Sequence, residues 1–166
     1  MSLHEISIDE LKLNPFNEIS KNWFLVTSGD ENSYNTMTAS WGFMGEMWGK
    51  HVFETVVRHN RYTFGFMEKN DLFTISFFPE ERHDVVKFCG AHSGRDCDKV
   101  KEANLTPVFL DGTTAFEEAE LVFVCKKVYS ADFDFEKISN EDKTKWYSKD
   151  PVHRQYFGEI LKVYTK

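Results

Sequence analysis

The sequence predicts a mainly β domain, a closed or partly closed barrel of about six strands with short peripheral helices. Three observations carry that expectation. Segments rich in β-branched and aromatic residues recur along the chain, the helical stretches between them are short, and strands and helices do not alternate as a doubly wound parallel sheet requires.

Taken in order, Trp23 to Ser28 reads as the first strand, and a second begins near Met37. Gly29-Asp30-Glu31-Asn32 punctuates the pair as a hairpin. His51 to Val57 forms the next strand. A helix follows from Tyr62 to Lys69, where Tyr62 and Phe66, and Thr63 and Met67, recur at i, i+4. In Leu72 to Phe77 the side chains of Phe73, Ile75 and Phe77 alternate with Thr74 and Ser76 at period two, the pattern of a half-buried strand. Val85, Phe88 and Cys89 have helical spacing, and Gly90 is placed to close that helix. Leu121 to Tyr129 and Phe157 to Tyr164 complete the strands. Between them Asp132 to Asp150 is polar and charged, a surface excursion or short helix to which no chemistry is assigned.

The 166 residues, with 41% hydrophobic content and sixteen Phe, suffice for one domain with a core of ordinary size. Without a repeat, a low-complexity tract or a Pro/Gly/Ser-rich linker, residues 1–166 are expected to fold as a unit. A net charge of −7 argues against nucleic acid, because a phosphate-backbone binder needs a dense Lys/Arg surface to displace counterions. Any phosphate held here is small and locally bound. No apolar stretch approaches the roughly 20 residues that span a bilayer, and Met1 to Glu5 does not begin a secretory signal, so no membrane partner is expected. Cys89, Cys97 and Cys125 are an odd number and read as free thiols in a reducing cytoplasm.

Three runs in the first hundred residues could carry chemistry. In Asn35-Thr36-Met37-Thr38-Ala39-Ser40-Trp41-Gly42, small and hydroxyl side chains permit close backbone approach to a ligand, although an ordinary strand facing solvent explains the run equally well. Arg58-His59-Asn60-Arg61-Tyr62-Thr63 lies where a strand meets a helix. There Asn60 can cap the helix, and its free first-turn amides beside Arg58, Arg61 and Thr63 suit a phosphate dianion; surface ion pairs are the plain alternative. Ser93-Gly94-Arg95-Asp96-Cys97-Asp98-Lys99 is, taken alone, a solvated turn.

Other constellations fail on chemistry. Cys89-x-x-His92 with Cys97 lacks a fourth ligand at zinc spacing, so no metal is expected. Arg95 and Lys99 would activate a Cys97 thiolate, but Asp96 and Asp98 oppose them. His51 and Glu54 fall on opposite faces of a strand, and His83 and Asp84 are adjacent on a helix; neither is an acid/base pair. No nucleophile elbow, Walker loop or dinucleotide fingerprint occurs.

In their order and spacing, Phe24 to Thr27, Asn35 to Trp41, Arg58 to Thr63, Phe73 to Phe77, Ser93 to Lys99 and Tyr156 to Ile160 resemble the flavin reductase-like family, the FMN-binding split barrels that include flavoredoxin-like proteins. The resemblance implies a homodimer of Greek-key split barrels holding FMN noncovalently near the subunit interface. By the same resemblance Asn35, Met37, Thr38, Ala39, Ser40 and Trp41 follow the flavin ring and ribityl chain. Arg58, Asn60, Arg61, Tyr62 and Thr63 match the phosphate segment, and Ser93, Gly94, Arg95 and Lys99 the loop that closes over the cofactor.

The activity implied is oxidoreduction, a flavin reductase that passes a hydride from NAD(P)H to flavin N5. A flavin supplies the redox chemistry, so no acid/base signature is required of the protein. The family has a Pro-rich entry where this chain has Gly45-Glu46-Met47-Trp48-Gly49-Lys50. That departure is expected to reshape the open face of the flavin. It favours two alternatives, a noncatalytic FMN electron-transfer or sensor protein and a structural dimer that has lost the cofactor.

Overall fold

A computed structural model describes residues 2–166. The strands are β1 (His4–Ile6), β2 (Phe24–Gly29), β3 (Tyr34–Ala39), β4 (Gly42–Met47), β5 (Lys50–Arg58), β6 (Leu72–Phe77), β7 (Pro107–Leu110), β8 (Thr113–Phe116), β9 (Leu121–Asp132) and β10 (His153–Thr165). The helices are α1 (Pro15–Asn17), α2 (Tyr62–Lys69), α3 (His83–Ala91), α4 (Lys99–Glu102) and α5 (Asn140–Trp146).

One eight-stranded antiparallel sheet runs β3-β2-β6-β9-β10-β5-β4, with β1 added beside β10. It curls around a core in which Phe24, Phe53, Phe73, Ile75, Phe123 and Tyr156 are fully enclosed. Each such side chain contributes about 1.5–3 kcal/mol by leaving water, and the rings meet edge-on or tilted, as Phe24 and Phe53 do at 5.3 Å. The edges β3 and β4 are consecutive in the chain and do not pair with each other. The barrel is therefore split where Ser40 and Trp41 join them, and the Greek-key split-barrel expectation holds.

The six expected strands are all present. Four more were not revealed by periodicity: β1, β7 and β8 are only three or four residues long, and β4, although six residues long, has two glycines and no β-branched residue to mark it. The strand expected to be half-buried is buried on both faces. Phe73, Ile75 and Phe77 enter the barrel, while Thr74 on the outer side donates to the Thr114 carbonyl of the β7–β8 hairpin at 2.6 Å. A second apolar cluster of Leu25, Val85, Val86, Cys89, Phe116 and Val122 lies outside the barrel under α3 and that hairpin.

Two helix ends differ from expectation. Asn60 does not cap α2; the N-cap is Arg61, which makes no side-chain cap bond. α3 runs one residue past Gly90 and stops at His92, whose ring stacks on Phe88 at 4.1 Å while its N–H bonds the Phe88 carbonyl. Local side-chain stacking there replaces the expected glycine cap.

Candidate functional site

One cleft follows β3 from Asn35 to Trp41, about 20 Å along an extended chain. Its wide polar end, a cavity of ≈ 290 Å³, is lined by Asn35, Met37, Thr38, Asn60 to Thr63, Cys89 to Asp96 and Lys99. Its narrow end, ≈ 170 Å³, is lined by Met37 to Trp41, Val56, Arg58, Arg61, Trp146 and His153. Met37, Thr38 and Arg61 belong to both ends.

The wide end is assembled by short polar ties. Asn35 on β3 donates to Thr63 Oγ1 at 2.7 Å, joining the sheet edge to the first turn of α2. Thr38 Oγ1 donates to the Val86 carbonyl at 2.6 Å, joining the same edge to α3. Gly94 fits between: a Cβ there would come within 2.2 Å of Asn35 Oδ1 and 2.9 Å of Tyr62, so the loop can close this tightly only on glycine.

Three cations face this end. Arg95 donates to the Asn60 carbonyl at 3.2 Å and lies 5.1 Å over the Tyr62 ring. Arg61 lies at the N-cap of α2. Lys99 is 5% exposed, and its ammonium donates to the Cys89 carbonyl at 3.3 Å. Among the described residues, none of the three belongs to an ion pair. Burial holds the Lys99 ammonium below its ordinary pKa, and Arg61 adds to the depression. In a chain of net charge −7, a buried cation with no counter-charge is costly, and the gathering of three fits an anion bound between them and the start of α2.

The narrow end is aromatic. Trp146 meets Trp41 edge to face at 4.8 Å, and His153 lies 5.1 Å from Trp41. His153 Nδ1 bonds the Tyr147 hydroxyl at 2.9 Å. Burial first, then Arg58 and Arg61, push His153 down to about 4, so the ring is neutral at physiological pH. These three rings and the backbone of Thr38 to Ser40 border the narrow end, together with Arg58 and Arg61.

All fifteen residues singled out in the sequence line this one cleft. Two are placed differently from the phosphate arrangement expected of them. Asn60 offers a carbonyl to Arg95 rather than a helix cap. Arg58 faces the narrow end, where its guanidinium donates to the carbonyls of Pro151 at 2.8 Å and Trp146 at 3.0 Å and lies 5.2 Å over the Tyr147 ring. The Trp48–Gly49 turn, expected to reshape the open face, stands at the far end of the β4–β5 ladder from the cleft. Its left-handed backbone makes a tight hairpin, and Trp48 packs on Tyr129 and Phe157. Sequence reading missed Trp146, Tyr147 and His153, because the segment from Asp132 to Asp150 shows only surface polarity and β10 begins four residues before its apolar run.

A family profile described as flavin reductase like domain matches residues 16–166. The chain belongs to the flavin reductase-like family. Among solved structures it is similar to the flavoredoxin of Desulfovibrio vulgaris (Miyazaki F), at 21% identity and a TM-score of 0.69 over 98% of this chain and 77% of that one. The flavoredoxin of Methanosarcina acetivorans matches at 18% identity and 0.69, over 95% and 75%. An FMN-binding domain of a flavin reductases-like enzyme from Shewanella baltica matches at 12% and 0.69, over 98% and 76%. No curated protein matches by sequence. At these identities the structures establish a shared fold, and the flavin reductase-like profile establishes the family. No helix among the described residues is long and apolar enough to cross a membrane.

Proposed function

We propose that this flavin reductase-like chain is an FMN-dependent oxidoreductase that takes electrons from NAD(P)H. The observation that carries the reading is the set of three unpaired cations, Arg61, Arg95 and Lys99, at one end of a cleft whose other end is aromatic. Arg61, Arg95 and Lys99, with the first turn of α2 and Ser93, would bind the phosphate. Thr38, Ala39 and Ser40 would lie along the ring through backbone groups, with Trp41 beside it. Bound flavin would supply the two-electron chemistry, accepting hydride at N5 from a nicotinamide. His153, neutral and tied to the Tyr147 hydroxyl, would border the ring without adding charge.

A homodimer and a cytoplasmic location belong to the same proposal. Three unpaired thiols support the second. A continuous aromatic patch of Phe43, Trp48, Tyr129 and Phe157 on the outer side of β4, β5, β9 and β10 supports the first. The absorption spectrum of protein purified without added flavin, followed by anaerobic mixing with NADH and NADPH, tests the reading. Flavin bands that bleach with either nucleotide are expected. Colourless protein that takes up no FMN would overturn it. Bands that persist would instead select a second reading, an electron-transfer flavoprotein, which the narrow aromatic end favours.

A further inference from the structure

Trp146 at the end of α5 and His153 at the start of β10 line the narrow end of the cleft, and the residues 147–152 that link them lie outside the sheet. What holds them there is Arg58. It stands at the end of β5, a strand paired on both sides, and its two terminal nitrogens reach carbonyls five residues apart, Trp146 and Pro151. Its planar face covers the Tyr147 ring, and Tyr147 passes the tie on to His153. A guanidinium can fork and stack at once, which an ammonium cannot. The bonds lie near solvent, so cutting them would loosen this segment without unfolding the barrel.

We propose that Arg58 is a positioning residue and Trp146 a specificity-determining one, the first holding the second against Trp41 so that only small redox partners reach a flavin ring at Ser40. This rests on the cofactor placement proposed above. Trp146 lines the narrow end together with Ser40, and among the described residues no other side chain there comes from outside the sheet and its immediate connections. Replacing the indole with a methyl group would open that end, whereas a phenyl ring would keep it narrow.

Two measurements on the full-length chain test the proposal. The first is limited trypsin digestion without flavin, which reads the tie alone. Arg58→Met and Arg58→Lys should both speed cleavage after Lys145 and Lys149, by about tenfold, relative to the sheet lysines Lys126 and Lys127. Unchanged cleavage would remove Arg58 from its positioning role. The second uses FMN-loaded protein photoreduced without oxygen, with EDTA as the sacrificial two-electron donor that is then removed, and oxidised by p-benzoquinone or the larger 9,10-phenanthrenequinone. In each case two electrons and two protons pass to the quinone, one proton coming from solvent if the reduced flavin is anionic. The ratio of the small to the large quinone's rate should fall by roughly tenfold in Trp146→Ala and Arg58→Met, and Trp146→Phe should restore it. A ratio that is the same in all variants would overturn the proposal while leaving FMN binding intact. Failure of the unaltered chain to bind FMN would overturn the cofactor placement instead, and the trypsin result would then judge Arg58 by itself.

Discussion

Asn35 and Thr63 are joined side chain to side chain at 2.7 Å, a buried bond that fixes the open edge of the sheet against the first turn of α2. Neither residue is therefore free simply to contact a ligand; together they set where the α2 N-terminus stands. Asn35→Ala would leave the Thr63 hydroxyl buried without its donor, at a cost of about 1–3 kcal/mol. The urea midpoint should fall accordingly, and FMN affinity should fall with it. A variant as stable as the parent would show that the bond is incidental.

Phosphate recognition should follow the unpaired cations. Arg61→Ala and Arg95→Ala should each weaken FMN by about 1.5–3 kcal/mol, one to two decades, while riboflavin, which lacks the phosphate, changes little. Arg58→Ala should leave the preference for FMN over riboflavin in place, since that guanidinium is engaged elsewhere. Lys99→Met should act with opposite signs, raising the stability of flavin-free protein by on the order of 1 kcal/mol as a buried charge is removed, yet weakening FMN. Paired titrations and urea curves decide; a Lys99→Met protein that is both less stable and equally tight for FMN would refute the assignment.

Two buried groups should oppose one another as pH changes. Glu54 is 2% exposed, lies across from Phe43 and Phe157, and is raised by burial to about 7 from 4.5. Its contribution to stability is complete below 4.5 and is lost as pH rises through about 7. His153, lowered to about 4 from 6.5, contributes fully above 6.5 and loses that contribution as pH falls through about 4. Each is worth at most about 3 kcal/mol, and between 4.5 and 6.5 the two slopes nearly cancel. Glu54→Gln should therefore lose stability on acidification from 6.5, and His153→Gln should gain it from about 7 down. Denaturation across this range reads both; parallel curves for parent and Glu54→Gln would mean that the carboxyl does not titrate as inferred.

Self-association should depend on the outer aromatic patch, where Phe43 is 58% and Trp48 61% exposed. Phe43→Glu places a charge on its exposed margin and should shift the chain toward monomer in sedimentation velocity at micromolar concentration. A parent that is already monomeric there would remove the homodimer from the proposal.

The amino-acid sequence by itself determined the β character, the six principal strands, the α2 helix and the cleft-lining runs, because these depend on local alternation, chain-reversing residues and small side chains. Periodicity reports which residues leave water, and so it located the barrel wall. It did not show that Thr74 and Ser76 are buried as well, because the β7–β8 hairpin that covers them comes from some forty residues away. Tertiary structure alone decided what each arginine does. Arg58 and Arg61 are three residues apart and chemically identical, yet they diverge where β5 ends: one turns to the carbonyls of Trp146 and Pro151, the other stands at the α2 N-cap with no carboxylate partner among the described residues. The same holds for Trp146 and His153, whose place in the cleft depends on contacts with Trp41 and Arg58 across about a hundred residues of chain. Such long-range contacts leave no local pattern, because the entropy of closing so long a loop is offset only by packing that exists once the barrel has formed.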